Sequence, residues 1–224
     1  MCRLFGFRSV IQSQVHRSLV SADNALMRQS ERHPDGWGVA YYQASAPHII
    51  KSVATAIDDN LFRHVSGIVT SQTVVAHLRN ATQGSLSVIN THPFQFGSWV
   101  FAHNGNLKGF DEHREQLVAT IPPALRTFIL GTTDSEVLFY MLLGNMARRC
   151  DLHRHGFPLA ELAAAVRETL AQVTAIIGPL CEDDSAGPSN TFLTFLITNG
   201  HTLLAHQGGK VLYCSTHKHQ CSER

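Results

Sequence analysis

The chain has no apolar run approaching the roughly 18 residues a membrane-spanning helix requires, so no such helix is expected. The apolar letters of "LFGF" near the start are also too few for the core of a signal peptide, and the expected compartment is the cytoplasm. Charge of one sign is lacking too. Lys plus Arg number 18 against 17 for Asp plus Glu, a net +1, with no basic stripe that would argue for nucleic acid or a membrane surface. Cysteine is sparse: Cys2, Cys150, Cys181, Cys214 and Cys221 are odd in number and scattered, which excludes a disulfide framework and suggests free thiols in a reducing compartment. There is no internal repeat and no low-complexity segment. What is present is enough apolar material, 44% of 224 residues, for one sizeable core, and a single domain over 2–224 is expected.

Short apolar runs bounded by polar or Gly/Pro residues read as strands at "CRLFGFRS", "GWGVAYYQ", "PHIIKSVATA", "TVVAHLR" and "SWVFAHNG". The last two are nearly continuous, as in strands buried on both faces. Val15, Leu19, Ala22 and Leu26 predict one helix ending before "HPDG". "TTDSEVLFYMLLGNMARR" predicts a helix whose Thr133 and Glu136 occupy capping-box positions, and "PLAELAAAVRETLAQVTAII" predicts a second long helix. The acidic "LCEDDSAGPSN" reads as a surface loop, and "TFLTFLITNGHTLLAH" as a hairpin turning at Asn199-Gly200. Strands, then helices, then strands predict an α+β domain of antiparallel sheet flanked by helices.

Polar residues gather in "HPDGWG", "AHLRNAT", "FAHNG" and "TTDSE". Singly, each has a plain explanation: a turn pair at Asp35-Gly36 or Asn104-Gly105, a strand-end arginine at Arg79, a helix-start carboxylate at Asp134. They gain meaning beside Cys2. Once Met1 is removed, Cys2 carries the chain's own α-amine, with an ordinary pKa of about 7.7–8.0, as base for the adjacent thiol. A thiolate attacking an amide carbonyl needs donors for the developing oxyanion, and the Asn104 side-chain amide with the Gly105 N–H are suitable. An α-amino acid substrate needs a cation for its carboxylate and an anion for its ammonium, roles open to Arg79 and Asp134.

Cys2, "HPDGWG", "AHLRNAT", "NTHPF", "FAHNG" and "TTDSE", in this order over residues 2–136, resemble the class II glutamine amidotransferases. These are N-terminal-nucleophile (Ntn) hydrolases, and the likeness is to their short free-standing bacterial members, which include ergothioneine-pathway γ-glutamyl hydrolases. The resemblance implies a four-layer αββα sandwich of two antiparallel sheets. It also implies Cys2 as nucleophile, Asn104 and Gly105 as oxyanion hole, and Arg79 and Asp134 as holders of the glutamyl carboxylate and amino group. His77, Thr82, Gly36, Trp37, His92 and His103 fall on motif positions and are assigned to shaping the substrate site rather than to proton transfer. No cofactor and no metal is implied.

Asn80 and Gln83 depart from the "WATHG" of the family's sugar-phosphate members. The chain ends in "HKHQCSER" where short members continue past the strand matched by "KVLYCST", so the fold's last C-terminal strands are expected to be missing. The implied reaction is hydrolysis of the γ-amide of glutamine or of a γ-glutamyl compound, a small-molecule substrate. A synthase subunit fed with ammonia in trans and a homodimer are the remaining candidate partners. Two rival readings are a zinc site at Cys214, His217, His219 and Cys221, and a non-catalytic regulatory protein of the same fold.

Overall fold

The computed structural model describes residues 2–154, 156–187 and 189–216. Its first sheet contains β1 (Arg3–Gln14), β2 (Trp37–Gln43), β3 (Ala46–Ser52) and β4 (Thr70–Leu78), in the spatial order β1-β4-β2-β3. The second contains β5 (Phe94–Phe96), β6 (Trp99–Asn106), β7 (Phe192–Thr198) and β8 (Leu203–His206), in sequential order. Every pairing is antiparallel.

Successive side chains point to opposite faces of a strand, and here both faces are covered. In the first sheet Trp37, Val39, Val74, Ala76 and Leu78 face outward. They pack under α1 (Leu26–Gln29), α2 (Asn60–Ile68) and the π-helical turn Arg17–Ser21. Ala40, Tyr42 and Val75 face inward, against Val100, Ala102 and Leu196 of the second sheet. The second sheet's outer face, with Trp99, Phe101, Phe195 and Ile197, lies under α3 (Phe110–Ala119), α4 (Pro123–Arg126), α5 (Asp134–Ala147) and α6 (Leu159–Ile177). The result is the expected αββα stack. Burial on both faces is why the central strands read as unbroken apolar runs.

Several elements differ from the sequence reading. The single helix over 15–32 is broken into the π turn, α1 and a 3-10 turn at Ser30–Arg32, with Ala22 extended between them. Val15, Leu19 and Leu26 are nevertheless buried as the spacing predicts, and the break falls at "ADNA", where Asp and Asn favour non-helical backbone. The hairpin loop spans four residues: Asn199 Oδ1 accepts the N–H of His201 and of Thr202, which holds a wider turn than an Asn-Gly pair. Only half of the capping box forms. Thr133 Oγ1 accepts the Glu136 N–H at 3.2 Å, but the Glu136 carboxylate turns to the N–H groups of Leu130 and Gly131. Asn104 and Gly105 lie within β6 and form no turn. Helices α2 and α3, absent from the sequence reading, begin after Asp59, whose side chain accepts the Leu61 N–H, and after Gly109.

Candidate active site

Strand parity brings the polar islands together at one end of the space between the sheets. Leu4 packs in the inter-sheet core, and Cys2, two residues earlier, shares its face. Arg3 pairs with Leu78, so Cys2 stands beside the exit of β4. There the Asn80 N–H donates to Cys2 Sγ at 3.4 Å, and the thiol lies 3.5 Å from the Asn80 carbonyl oxygen. Arg79 continues the inward face of Val75 and His77. Asn104 continues the inward face of Val100 and Ala102 on the opposite sheet. Cys2, Arg79, Thr82, Gln83, His92, His103, Gly105, Asp134 and Ser135 are among the residues lining one small cleft.

Arg79 is 3% exposed, and backbone carbonyls hold its guanidinium: Nη2 donates to Gln83 at 2.9 Å and to Gly84 at 3.3 Å, and Nη1 to Ser85 at 3.1 Å. Burial lowers its pKa, opposed by Cys2, Asp35 and Asp134, and no described carboxylate pairs with it directly. Its main chain is fixed by donating to the Gly36 carbonyl at 2.8 Å. Gly36 has φ +119°, and a Cβ there would sit 2.7 Å from the Ser52 carbonyl oxygen, so glycine is needed for this support. Asn90 secures the carbonyl loop, its Nδ2 donating to the Ser85 oxygen at 3.1 Å and its Oδ1 accepting the Thr132 N–H at 2.9 Å.

Asp134 opens α5 and is 2% exposed. Its Oδ2 accepts the Leu107 N–H at 2.8 Å, just past the end of β6, and its Oδ1 accepts the Ser135 N–H at 2.7 Å. The start of α5 thus reaches over the end of the second sheet and faces the cleft with a carboxylate. The Cys2 thiol is shifted upward, chiefly by burial, with the Asn80 N–H pulling the other way. A positive group, a negative group and a thiol therefore share one solvent-poor recess.

The whole chain can now be set beside known proteins. The family model described as "Glutamine amidotransferases class-II" matches residues 1–220. The chain belongs to the class-II glutamine amidotransferases. It is 26% identical over 225 residues to a "Probable glutamine amidotransferase" of Saccharomyces cerevisiae, covering 91% of this chain and 62% of that protein. It is 38% identical over 115 residues to the "Gamma-glutamyl-hercynylcysteine sulfoxide hydrolase" of Mycobacterium tuberculosis, covering 47% of this chain and 49% of that one. The chain thus spans about half to under two thirds of these relatives' lengths. Among solved structures, a "glutamine aminotransferase class-II domain protein" from Silicibacter pomeroyi superimposes with a TM-score of 0.56 at 30% identity, covering 77% of this chain and 68% of that one.

Within this amidotransferase chain the remaining candidates separate into two groups. Thr82 lines the cleft, and Gly36 supports Arg79 from behind. Trp37 is not brought to the cleft: it is fully buried on the outer face, edge-on to Phe62, and donates from Nε1 to Asp59 at 3.0 Å. Its parity, opposite to that of Gly38, points it toward the helices. His77 Nε2 donates to the His103 carbonyl at 3.1 Å, and its ring lies tilted against that of His92, with centroids 4.2 Å apart. Both are fully buried groups held neutral: burial pulls His77 down to about 3 and His92 well below the usual imidazole range. His217, His219 and Cys221 of the rival zinc reading lie outside the described residues. Ser135 and Asn90 went unassigned in the sequence, although both stand inside the quoted "TTDSE" and "NTHPF". No described helix is long and apolar enough to cross a membrane.

Proposed function

We propose that the protein hydrolyses the γ-amide of glutamine or of a γ-glutamyl compound, with Cys2 as nucleophile. The observation that carries this reading is the shared cleft of Cys2, Arg79 and Asp134, which offers a thiol, a carboxylate binder and an ammonium binder to one small molecule. The Arg79 guanidinium takes the substrate α-carboxylate, and the Asp134 carboxylate takes the α-ammonium. With Met1 removed, the Cys2 α-amine accepts the thiol proton, and the thiolate attacks the γ-carbonyl carbon. Negative charge moves to the carbonyl oxygen, where the Asn104 amide and the Gly105 N–H stabilise it. The α-ammonium returns its proton to the departing nitrogen, which leaves as ammonia or an amine. A γ-glutamyl thioester remains on Cys2. Water then attacks the thioester, the α-amine takes the water proton, the C–S bond breaks, and glutamate is released.

Similarity to the mycobacterial γ-glutamyl hydrolase favours free-standing hydrolysis over delivery of ammonia to a synthase. Glutamate release from L-glutamine and from a panel of γ-glutamyl amides, measured on the protein and on Cys2→Ala, tests the reading. Release is expected from at least one of these compounds and is expected to vanish in the variant. Turnover that survives in Cys2→Ala would overturn the assignment.

A further inference from the structure

His103 is 1% exposed and stands on the outer side of β6, one residue before the proposed oxyanion donor. Its Nε2 lies 2.9 Å from the Phe192 carbonyl oxygen, an atom that can only accept, so Nε2 carries a proton. Gly105 makes room for this bond, because a Cβ at 105 would run into both Nε2 and that carbonyl. Burial holds the imidazole pKa below its usual value, against the pull of Asp134, so the ring is neutral near pH 7 and Nδ1 is bare. The Ser135 hydroxyl, 2.9 Å from Nδ1, is then the donor.

That hydroxyl has one proton. It also lies 3.2 Å from Asp134 Oδ1, and a proton given to His103 is not available to the carboxylate. Left to itself, a serine hydroxyl beside a buried carboxylate would donate to it, because a charge-assisted bond is the stronger choice. The Asp134 carboxylate is instead oriented by backbone N–H groups, Ser135 on Oδ1 and Leu107 on Oδ2.

We propose that His103 is a positioning residue for the ammonium-binding carboxylate: by accepting the Ser135 hydroxyl proton at Nδ1, it keeps that hydroxyl off Asp134 Oδ1 and leaves the oxygen's second lone pair for the ammonium of an α-amino acid substrate. The inference rests on the reading of Asp134 given above. His77, donating to the His103 carbonyl, braces the same residue from the first sheet. One imidazole therefore links the strand carrying the oxyanion donors to the group that selects for an amino acid.

The test uses the Cys2→Ala protein, which binds without turnover, and two probes: L-glutamine and glutaramate, its analogue without the α-amino group. His103→Phe is expected to weaken L-glutamine binding about tenfold, the value of a hydrogen bond to a charged group, and to leave glutaramate unchanged. Adding Ser135→Ala removes the competing hydroxyl and is expected to recover most of the loss. His103→Gln, which offers an oxygen to Ser135 and an N–H to Phe192, is expected to bind L-glutamine within about threefold of the parent. Equal loss for both probes, or a loss that Ser135→Ala does not relieve, overturns the proposal. Asp134→Asn keeps the two readings apart: if it fails to discriminate between the probes, the ammonium assignment itself falls. Nitrogen-15 spectra of the unsubstituted protein provide a readout independent of any variant's folding. They are expected to show a neutral His103 ring protonated at Nε2, and an imidazolium or an Nδ1–H ring near pH 7.5 overturns the proposal.

Discussion

Cys2 is a poor nucleophile as a plain half-buried thiol, since desolvation opposes its ionisation. The proposed chemistry therefore depends on a base next to it, and the free α-amine is the base that removal of Met1 creates. Any residue left in front of Cys2 turns that amine into a peptide N–H, which cannot accept a proton. A protein with an uncleavable N-terminal extension is expected to have no turnover, while the same protein tagged at the other end is active; paired glutamate-release assays check this, and full activity of the extended form would contradict it. Asn104 belongs to the same scale. Its side chain is nine-tenths buried between the sheets, and its Oδ1 has no partner among the described residues. If Asn104 acts as proposed, Asn104→Ala is expected to lower kcat by roughly 10²–10³ with little change in KM, the effect of deleting an oxyanion donor. A raised KM at unchanged kcat would assign Asn104 to binding instead.

Elements do the placing. The loop after β4 curls so that its carbonyls at 83–85 face Arg79, and Asn90 ties that loop to the residues before α5. Asn90→Ala is expected to raise KM several-fold more than it lowers kcat, because Arg79 loses its fixed direction while Cys2 keeps its own. It should also cost about 1–3 kcal/mol of stability in urea titrations, from the bonds left unmade. Equal KM in variant and parent would detach the loop from substrate binding. Much at this scale was legible in sequence: β2, β4, β6, α5 and α6 declared themselves through apolar runs or helical spacing. What escaped did so for physical reasons. The α3 segment buries only Phe110 and Leu117 and has too faint a stripe to stand out. The 15–32 segment has a good apolar stripe, but its backbone breaks at "ADNA" without disturbing it. Glu136 left the capping box because the N–H groups of Leu130 and Gly131, in the turn just ahead of α5, compete for its carboxylate. The motif residues of the cleft were also readable, whereas Trp37 was not: period-two alternation puts it on the face opposite Gly38, and only packing shows which face borders the cleft.

The whole molecule stakes stability on imidazoles kept neutral between its layers. His77, His92 and His103 are all buried, with pKa values lowered first of all by that burial. A group whose folded pKa is depressed takes up protons first in the unfolded chain, so its contribution is intact above the ordinary imidazole value and is lost as pH falls toward the folded one. For His77 the window runs from 6.5 down to about 3, and the full loss is of order 5 kcal/mol. Urea midpoints are expected to fall steeply from pH 6.5 to pH 4; a flat profile would mean that these rings are solvated. The same four layers bring a residue at the chain's start to residues some 80 and 130 positions away, and the functional account stands on that meeting. Its most direct test is peptide mapping after treatment with a glutamine-mimicking diazoketone, an electrophile that needs both the amino acid pocket and an activated thiol. The account predicts one adduct per chain, carried by a peptide that begins at Cys2 and suppressed by excess L-glutamine. Label on Cys150, Cys181, Cys214 or Cys221 with Cys2 unmodified would contradict it.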